Sequence, residues 1–419
     1  MRNNVIFILT VAFLFSCKTE NNDVIRQIYD QGVVITTPFI WKTSLHEKEP
    51  ASNGYITFPI MYNENILVPI TNGEEGNFLA LMNTSDGKVL WRWRDVFIEY
   101  EYAEITYYHQ YKNLITYQNG GRSYCINMDN GKTHWKIRRD RSFDIRINSF
   151  GQNYFTYGPI KNNSEKYHED ITSFIGDIQT GIISEFLYPD FNYEFPDSWR
   201  GVLYINQISS NSNLFVVSYF ENLEDYVIQP YFGLYDNNLK EWVWDKILIM
   251  PPKHSNVIDW SPIIENNKIY AVVGTHIVCH DLETGKQLWK REFEGNFLFT
   301  GFIVEEGKVI ANCEDCYAYG LDAETGNILW SVRTAGTSSR MSYLNGIVYF
   351  AGGSIRRLFA IEAASGKILW KIDAGLLGEG QGAGFKVGNA VYVLPAKDNQ
   401  PAKVIALSDL YAYCFEAIR

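Results

Sequence analysis

Hydrophobic and polar positions along the chain repeat in a fixed order, with a polar turn placed between two apolar stretches. The clearest copies are Asp281–Trp289, Asp322–Trp330 and Glu362–Trp370, in which Gly follows the acidic residue by four positions and Trp follows the Gly by four. Aliphatic residues before the acidic position and after the Gly give the alternation expected of two antiparallel strands joined by a tight turn. The pattern therefore predicts a β-hairpin in each copy.

Four further copies precede these and set the period of the repeat. Two of them end at Trp91 and Trp135, and two weaker copies end at Phe186 and Trp242. Trp91 and Trp135 lie 44 residues apart, and the last three copies follow one another after 41 and 40 residues. A period of about 40 to 50 residues with several strands per unit indicates the blades of a β-propeller.

Each repeated residue type has a physical reason at its position. The Asp or Asn side chain accepts hydrogen bonds from the turn backbone, and the Gly supplies the positive φ that a tight hairpin requires. The Trp is large enough to close the gap between two wedge-shaped blades. We therefore assign structural roles to Gly87, Gly131, Gly285, Gly326 and Gly366, and to Trp91, Trp135, Trp242, Trp289, Trp330 and Trp370.

This pattern resembles the tryptophan-docking motif of the PQQ-like (pyrroloquinoline quinone-like) β-propeller repeat, Ala-x-Asp-x-x-Thr-Gly-x-x-x-Trp with a following Gly. The match is nearly complete in Gly320–Gly336, strong over 265–375 and weak over 150–250. The family includes quinoprotein dehydrogenases, outer-membrane assembly lipoproteins of the BamB type and secreted lipoproteins of other kinds. The resemblance implies a propeller fold and leaves an enzyme, a scaffold and a ligand-binding protein as alternatives.

The number of copies predicts the number of blades. Seven copies are followed by an eighth unit with strands at 390–394 and 403–407, which either 410–416 or 39–42 completes. We therefore expect an all-β fold, a single β-propeller of eight four-stranded antiparallel blades over 36–419. Seven blades is the alternative.

The first residues predict export and a lipid anchor. A short basic start and the apolar run Val5–Phe15, which is too short to span a bilayer, are typical of a signal peptide. The run ends in Leu14-Phe15-Ser16-Cys17, which resembles the lipobox of bacterial lipoproteins. We expect a signal peptide over 1–16, acylation (palmitate) at Cys17, a flexible tether over 17–35 and attachment to the outer membrane, facing the periplasm or the cell surface. An ordinary secretory signal is the alternative.

Composition narrows the class of protein. Hydrophobic residues make up 46% of the 419 residues and charged residues 20%, which excludes intrinsic disorder. The 15% aromatic content favours strands. A formal charge of −11 argues against nucleic-acid binding, and six Cys are too few for a disulfide scaffold.

Two local patterns were candidates for redox or metal chemistry. Cys313 and Cys316 flank a predicted turn, where we expect them to face each other across the ladder at Cα separations of about 5.5 Å, as a possible disulfide. His276 and His280 share one face of a strand but lie about 13 Å apart, which is too far for one metal ion. The chain has no pair of adjacent Cys like that beside the cofactor of many quinoprotein dehydrogenases. We therefore predict no catalytic residue, no metal and no cofactor.

The degraded repeats carry extra segments, which are the candidates for a binding surface. One is 160–170, and the other, 188–199, combines aromatic and acidic residues: Tyr188, Phe191, Tyr193, Phe195 and Trp199 are its aromatic members. Aromatic rings in a loop suit a protein contact, although the same rings could instead pack on a blade. The sequence favours a monomeric, non-enzymatic scaffold that holds protein partners at a propeller rim, possibly BamB-like in outer-membrane protein assembly. A carbohydrate- or small-ligand-binding surface lipoprotein and a PQQ-dependent dehydrogenase are the alternatives.

Overall fold

Alternating apolar residues and tight turns fold the chain into eight four-stranded antiparallel sheets. The computed structural model describes residues 39–47, 59–71, 77–97, 105, 108–119, 122–138, 148–150, 154–160, 172–186, 199–209, 212–223, 227–253, 258, 260–294, 301–353, 355–379, 384–385 and 391–418. No helix within these ranges has the length and apolar character to cross a membrane. The fold is all-β with eight blades, as predicted.

The blades follow one another along the chain. Blade 1 contains β2 (Ile60–Tyr62), β3 (Asn65–Thr71), β4 (Asn77–Asn83) and β5 (Val89–Trp93); blade 2 contains β6 (Tyr108–Tyr111), β7 (Leu114–Asn119), β8 (Arg122–Asn127) and β9 (Lys132–Arg138). Blade 3 contains β10 (Asn148–Phe150), β11 (Tyr154–Ile160), β12 (Thr172–Asp177) and β13 (Ile183–Phe186); blade 4 contains β14 (Trp199–Gln207), β15 (Leu214–Asn222), β16 (Ile228–Asp236) and β17 (Glu241–Leu248).

The second half continues in the same order. Blade 5 contains β18 (Ile263–Glu265), β19 (Lys268–Val273), β20 (His276–Asp281) and β21 (Gln287–Glu292); blade 6 contains β22 (Gly301–Glu305), β23 (Lys308–Asn312), β24 (Tyr317–Asp322) and β25 (Ile328–Arg333). Blade 7 contains β26 (Ser342–Leu344), β27 (Ile347–Gly352), β28 (Arg357–Glu362) and β29 (Ile368–Asp373), followed by a short 3-10 helix over Ala374–Leu377.

Blade 8 joins the two ends of the described chain. It contains β30 (Tyr392–Leu394), β31 (Lys403–Leu407), β32 (Tyr411–Glu416) and, as its outermost strand, β1 (Trp41–Ser44). β1 pairs antiparallel with β32, with Trp41 opposite Cys414. Both segments proposed to complete the eighth unit are therefore used, one as its third strand and one as its fourth.

The connections between strands lie at two opposite ends of each blade, because neighbouring strands are antiparallel. The turns after the first and third strands form one end, which we call the turn face. The hairpins after the second strand and the crossovers to the next blade form the other end, the crossover face. Ion pairs join neighbouring blades at each end: Lys397 pairs with Glu64 on the turn face, and Arg356 pairs with Asp409 at 3.0 Å on the crossover face.

Tryptophan side chains of the outer strands connect neighbouring blades. Trp330 of blade 6 lies over Gly366 of blade 7, and its Nε1 donates a hydrogen bond to the carbonyl of Ala363 at 2.9 Å. Gly366 has a φ of +73°, and a Cβ there would lie 2.5 Å from the indole, so both the turn and the contact require Gly. The same indole-to-carbonyl bond joins Trp41 to Thr84, Trp91 to Met128, Trp135 to Ile178, Trp244 to Leu282 and Trp289 to Ala323. The indole of the preceding blade also contacts the turn glycines Gly87, Gly131, Gly285 and Gly326. Trp370 is buried with residues of blade 8.

Blade 4 corrects one assignment, because Trp244 and not Trp242 takes the inter-blade position. Trp244 donates to Leu282 of blade 5 at 3.2 Å. Trp242 packs inside its own blade, against Gly233 and with its ring centroid 5.3 Å from that of Tyr235. The register between β16 and β17 shifts twice and places Trp244 opposite Leu234 and Trp242 opposite Tyr235.

The hydrophobic core is divided into clusters that lie between adjacent blades. Tyr349 and Trp370 of blade 7 are buried with Tyr413 of blade 8, and Val272 of blade 5 is buried with Val309 of blade 6. Both faces of these sheets are therefore covered by neighbouring blades, and the chemistry open to a partner lies in the connections and around the central axis.

Candidate functional site

The two faces of the ring differ in the length of their connections. On the turn face the longest connection that joins two consecutive strands spans 395–402. The connections that end on the crossover face include 94–107, 161–171, 187–198, 249–262 and 374–391. A binding surface with varied chemistry can be built from long connections and not from short repeated turns, so the crossover face is the candidate site.

The predicted partner segment belongs to this face by topology. It forms most of the connection 187–198, which joins β13 of blade 3 to β14 of blade 4. Tyr188, Phe191, Tyr193 and Phe195 lie outside the described residues, and Trp199 is described only as the first residue of β14. Cys17, the predicted lipidation site, also lies outside the described residues.

A second aromatic-acidic stretch begins at Phe97, in the crossover from blade 1 to blade 2. The Phe97 backbone N–H donates to the Tyr124 hydroxyl at 3.2 Å, and the two rings are tilted with centroids 5.6 Å apart. Lys136 Nζ lies 5.1 Å from the centre of the Phe97 ring. This ring packs on blade 2, and residues 98–104 lie outside the described residues.

The pair Cys313 and Cys316 is placed differently from the expectation. Both side chains are buried free thiols. The residue opposite Cys313 is Tyr317, whose carbonyl accepts the Cys313 N–H at 2.9 Å, while Cys316 has a φ of +73° inside the turn. The turn therefore includes Cys316, as in a three-residue hairpin with a bulge, and the two Cys do not face each other across the ladder.

The same hairpin places a buried carboxyl group, that of Glu314, and a half-buried one, that of Asp315, on the crossover face. Glu314 is only 8% exposed, and burial raises its pKa to about 7. Burial also raises the pKa of Asp315, whose Oδ2 accepts a hydrogen bond from the Tyr319 hydroxyl at 2.5 Å. The sequence predicts a turn at these residues and no burial. Their burial depends on the crossover 334–341, which packs against them, as Gly336 contacts the Glu314 carbonyl.

His280, on β20, packs inside the fold. His280 is buried, its Nδ1 lies 2.8 Å from the Gly285 carbonyl oxygen, and its ring is in edge contact with Phe232. Burial lowers the pKa of His280, so the ring is neutral at pH 7. Within the described ranges, no group of three or more His, Cys, Asp or Glu side chains is placed to hold a metal ion.

Four side chains from different blades lie near one another at the crossover-face ends of the innermost strands. The Arg340 guanidinium lies over the ring of Trp260, 5.3 Å from its centre. Tyr392 is half-buried, burial raises the pKa of its hydroxyl, and Tyr108 and Arg340 are the neighbouring groups that also act on this pKa. We call Tyr108, Trp260, Arg340 and Tyr392 the channel mouth.

Strand order explains why these residues can meet only at the axis. Tyr108 begins the inner strand of blade 2 and Tyr392 that of blade 8, while Trp260 and Arg340 precede the inner strands of blades 5 and 7. Blades 5 and 7 are not neighbours, and neither are blades 2 and 8, so contacts between them require side chains that reach the centre of the ring. No local spacing in the sequence relates the four residues.

A calcium site of the kind that accompanies a quinone is not found among the acidic side chains that the structure describes. Such a site needs several carboxylate and amide oxygens directed at one cation, and the acidic side chains on the described part of the chain do not form a group of that kind. Asp281 and Asp322 bind their own turns, where each accepts from the backbone N–H of the Thr three positions later at 2.8 Å. We therefore derive no step through a quinone.

Comparison with known proteins agrees with the strand topology. The family model described as outer membrane protein assembly factor BamB matches residues 236–372 and 318–410. No curated protein matches the chain in sequence.

Solved structures of similar fold include proteins with different activities. BamB from Moraxella catarrhalis is 11% identical with a TM-score of 0.58, over 91% of this chain and 100% of that one. Sqt1 from Saccharomyces cerevisiae is 10% identical with a TM-score of 0.60, over 92% and 100%. A quinohemoprotein alcohol dehydrogenase from Pseudomonas putida is 12% identical with a TM-score of 0.60, over 93% of this chain and 77% of that one. At these identities the likeness concerns the fold, and together with the repeat it identifies the chain as an eight-bladed β-propeller built from PQQ-like repeats.

Proposed function

We propose that the protein is a lipid-anchored scaffold of the outer membrane that binds protein partners through its crossover face and performs no catalysis itself. The observation that carries this proposal is the asymmetry of the ring, with short repeated turns at one end and the long connections at the other. An interaction surface needs varied side chains on a rigid support, and long connections on a ring of blades can supply both.

The family match supports the finer version of this proposal. The matching model is described as an outer membrane protein assembly factor, and an accessory role in outer-membrane protein assembly would use a rigid ring with one varied face. The quinohemoprotein dehydrogenase shares the fold, but the described acidic residues do not supply a cation site for the enzymatic alternative. A scaffold is therefore the function that the described side chains support best.

Capture of partners from membranes tests the scaffold role. The full chain, carrying an affinity tag at the C-terminus, is purified from detergent-solubilised envelopes after brief chemical crosslinking, and the co-purified proteins are identified by mass spectrometry. We expect a small set of envelope proteins, reproduced at a stoichiometry near one partner per ring. Recovery of no protein above the level of a tagged, unrelated lipoprotein would contradict the scaffold role.

Fractionation tests the anchor separately. Cys17→Ser removes the thiol that would be acylated, so we expect the protein to leave the membrane fraction and to lose labelling by a palmitate analogue. Cys125→Ser is the matched control, because Cys125 is buried in β8 and we expect it to change neither readout. Unchanged membrane association and labelling of the Cys17 variant would contradict the anchor and leave the scaffold role to be decided by the capture experiment.

A further inference from the structure

The interface between blades 2 and 3 is polar at positions where the interface between blades 7 and 8 is apolar. At the third and fifth residues of its second strand, blade 7 presents Tyr349 and Ala351 to blade 8, and both belong to a buried apolar cluster. Blade 2 has Thr116 and Gln118 at the same two positions. Contact with blade 3 therefore removes polar side chains from water, which gains less free energy than the burial of apolar side chains.

Strand alternation places Thr116 and Gln118 on the side of blade 2 that faces blade 3. The residues that alternate with them in β7 are buried with residues of blade 1. Cys125 lies opposite Thr116 in the ladder, and its Sγ lies 3.7 Å from the carbonyl oxygen of Ile178 in blade 3. Both polar side chains are therefore on the blade 3 side of the sheet.

His109 and Ser123 extend this polar surface. His109 lies opposite Thr116, Ser123 lies opposite Gln118, and both are buried. Gln118 Nε2 donates to Ser123 Oγ at 3.0 Å. The Thr116 hydroxyl and Gln118 Oε1 are buried without a hydrogen bond to any residue that the structure describes. Both atoms can bond to water when the interface opens, so opening costs less free energy here than in an apolar interface.

The interface between blades 3 and 4 lacks the contact that joins other neighbouring blades. In that contact a Trp of one blade lies over the turn Gly of the next, as Trp330 lies over Gly366. Glu185 stands at the Trp position of blade 3, and Lys240 stands at the Gly position of blade 4. An indole over a glycine is not possible with these two residues. On each side, blade 3 therefore lacks one of the features that hold blades 5 to 7 together.

We propose that blade 3 separates from the ring as a unit, in a transient opening that exposes its interface with blade 2 to water. Proteins open locally where stabilising contacts are fewest. The Trp135 indole, which donates to the Ile178 carbonyl at 2.8 Å, keeps the closed state the main one. The connection 161–171 lies within blade 3 and 187–198 begins at its last strand, so both move with the opening. This inference goes beyond the scaffold role and does not depend on it.

Two native cysteines report on the opening without any substitution. Cys125 and Cys279 are the fourth residues of the third strands of blades 2 and 5, and both thiols are fully buried. Cys125 lies opposite Trp135 and faces blade 3, whereas Cys279 lies opposite Trp289 in the apolar interface with blade 6. Burial raises the pKa of both thiols, so each reacts with an alkylating reagent only after its interface opens.

Native-state labelling of the full chain tests the proposal. The protein is treated with iodoacetamide under native conditions, and mass spectrometry of its peptides gives the labelling rate of each Cys. We expect Cys125 to be labelled at least about 100-fold faster than Cys279. Hydrogen exchange of the same protein should be faster for the amides of β11 and β12 in blade 3 than for those of β7 and β8 in blade 2. Labelling rates of the two Cys within about threefold of each other, or equal exchange in blades 2 and 3, would overturn the proposal.

Thr116→Val tests whether the polar interface is the source of the opening. Val keeps the shape of Thr and removes the hydroxyl, so we expect labelling of Cys125 to slow at least about threefold. Thr334→Val is the matched control, because the Thr334 hydroxyl is also buried but donates to Asn312 Oδ1 at 2.7 Å, and it should leave the labelling of Cys125 unchanged. Melting temperatures show that both variants are folded. No slowing in the Thr116 variant, or equal slowing in both, would contradict the polar interface as the source of the opening.

Discussion

We call the contact between two neighbouring blades a seam. The seam between blades 5 and 6 has the same strand topology as the seam between blades 3 and 4, but the side chains at the two seams differ. Trp289 lies over Gly326 and donates to the Ala323 carbonyl, as the repeat predicts. At the other seam, Glu185 stands four residues after Gly181, where the repeat has Trp, and Lys240 stands where the turn requires Gly, with a φ of +58°.

Blade 4 keeps the Trp of the repeat, Trp244, but lacks the turn Gly and has an aromatic cluster of its own. Tyr219 stacks on Tyr231 with ring centroids 5.4 Å apart, and Trp242 packs on Tyr235. Antiparallel pairing keeps blade 4 intact with strands of eight or nine residues, so the ring does not need the Trp and Gly contact at every seam. The repeat motif therefore strengthens the contacts between blades, while strand pairing determines the fold. Blades in which the motif is incomplete can have long connections, such as 161–171 and 187–198.

Removal of a seam tryptophan should have the largest effect on stability. Trp330→Ala deletes a buried indole and its hydrogen bond to Ala363, which should lower the free energy of unfolding by about 3–5 kcal/mol. Denaturant unfolding followed by fluorescence measures this. A fall in the free energy of unfolding below about 1 kcal/mol would show that the seam between blades 6 and 7 depends on its Trp no more than the seam between blades 3 and 4 does.

The turn position should respond in opposite directions in the two regions. Gly326→Ala forces a Cβ to within 2.5 Å of the Trp289 ring at a φ of +68°, and we expect a loss of about 1–3 kcal/mol. Lys240→Gly removes the strain of a Lys in the left-handed backbone region, so it should leave stability unchanged or raise it by up to about 1 kcal/mol. Thermal melts of both variants give the comparison, and destabilisation by Lys240→Gly would show that the Lys side chain is needed at that seam.

The buried carboxyl of blade 6 should make stability depend on pH. The pKa of Glu314 is raised to about 7, so between about pH 4.5 and pH 7 the folded chain holds a proton that the unfolded chain has released. Stability due to this group is full below the unfolded pKa and falls as pH rises to about 7, by an amount of order 1–3 kcal/mol.

Glu314→Gln should remove that part of the pH dependence. Between pH 5 and pH 8, we expect the melting temperature of the variant to fall by less than that of the unmodified chain. Glu283→Gln, at an exposed turn, is the control and should leave the profile unchanged. Identical profiles for all three proteins would contradict the buried, protonated state of Glu314.

The loop of the degraded region should have the smallest effect on stability. Changing Phe191, Tyr193 and Phe195 together to Ser should weaken partner capture from membranes and leave the melting temperature within about 1 °C. A large fall in the melting temperature would show that these rings cover a blade, and the assignment of 188–199 to the partner surface would then be withdrawn.

Much of the fold could be predicted from the sequence because its signals are local. The turn from Asp322 to Gly326 and the Trp that follows specify one hairpin within nine residues, and repetition of that unit predicts the ring. The same eight-residue step from Asp to Trp leads from Asp236 to Trp244, so the correct residue of blade 4 was present in the pattern. Because Lys240 replaces the turn Gly, the sequence does not mark the start of the count to the Trp, and Trp242 is predicted instead.

The rest depends on contacts that no local pattern specifies. Trp41 acts as a seam tryptophan, but its own blade is completed by strands from the other end of the chain. The channel mouth combines residues from four blades, in connections without periodicity, and only the closed ring brings Trp260 and Arg340 together. The burial of Glu314 likewise depends on the crossover 334–341, which lies outside the hairpin that contains Glu314.

Site-specific photo-crosslinking tests most directly whether the crossover face is the partner surface. A photoreactive amino acid is introduced at Leu376, 58% exposed in the crossover from blade 7 to blade 8, and at Leu239, 65% exposed on the turn face, in cells that express the full chain. The account predicts a discrete crosslinked product from position 376 and none from position 239. A product from position 239 alone, or products of equal yield from both, would contradict it.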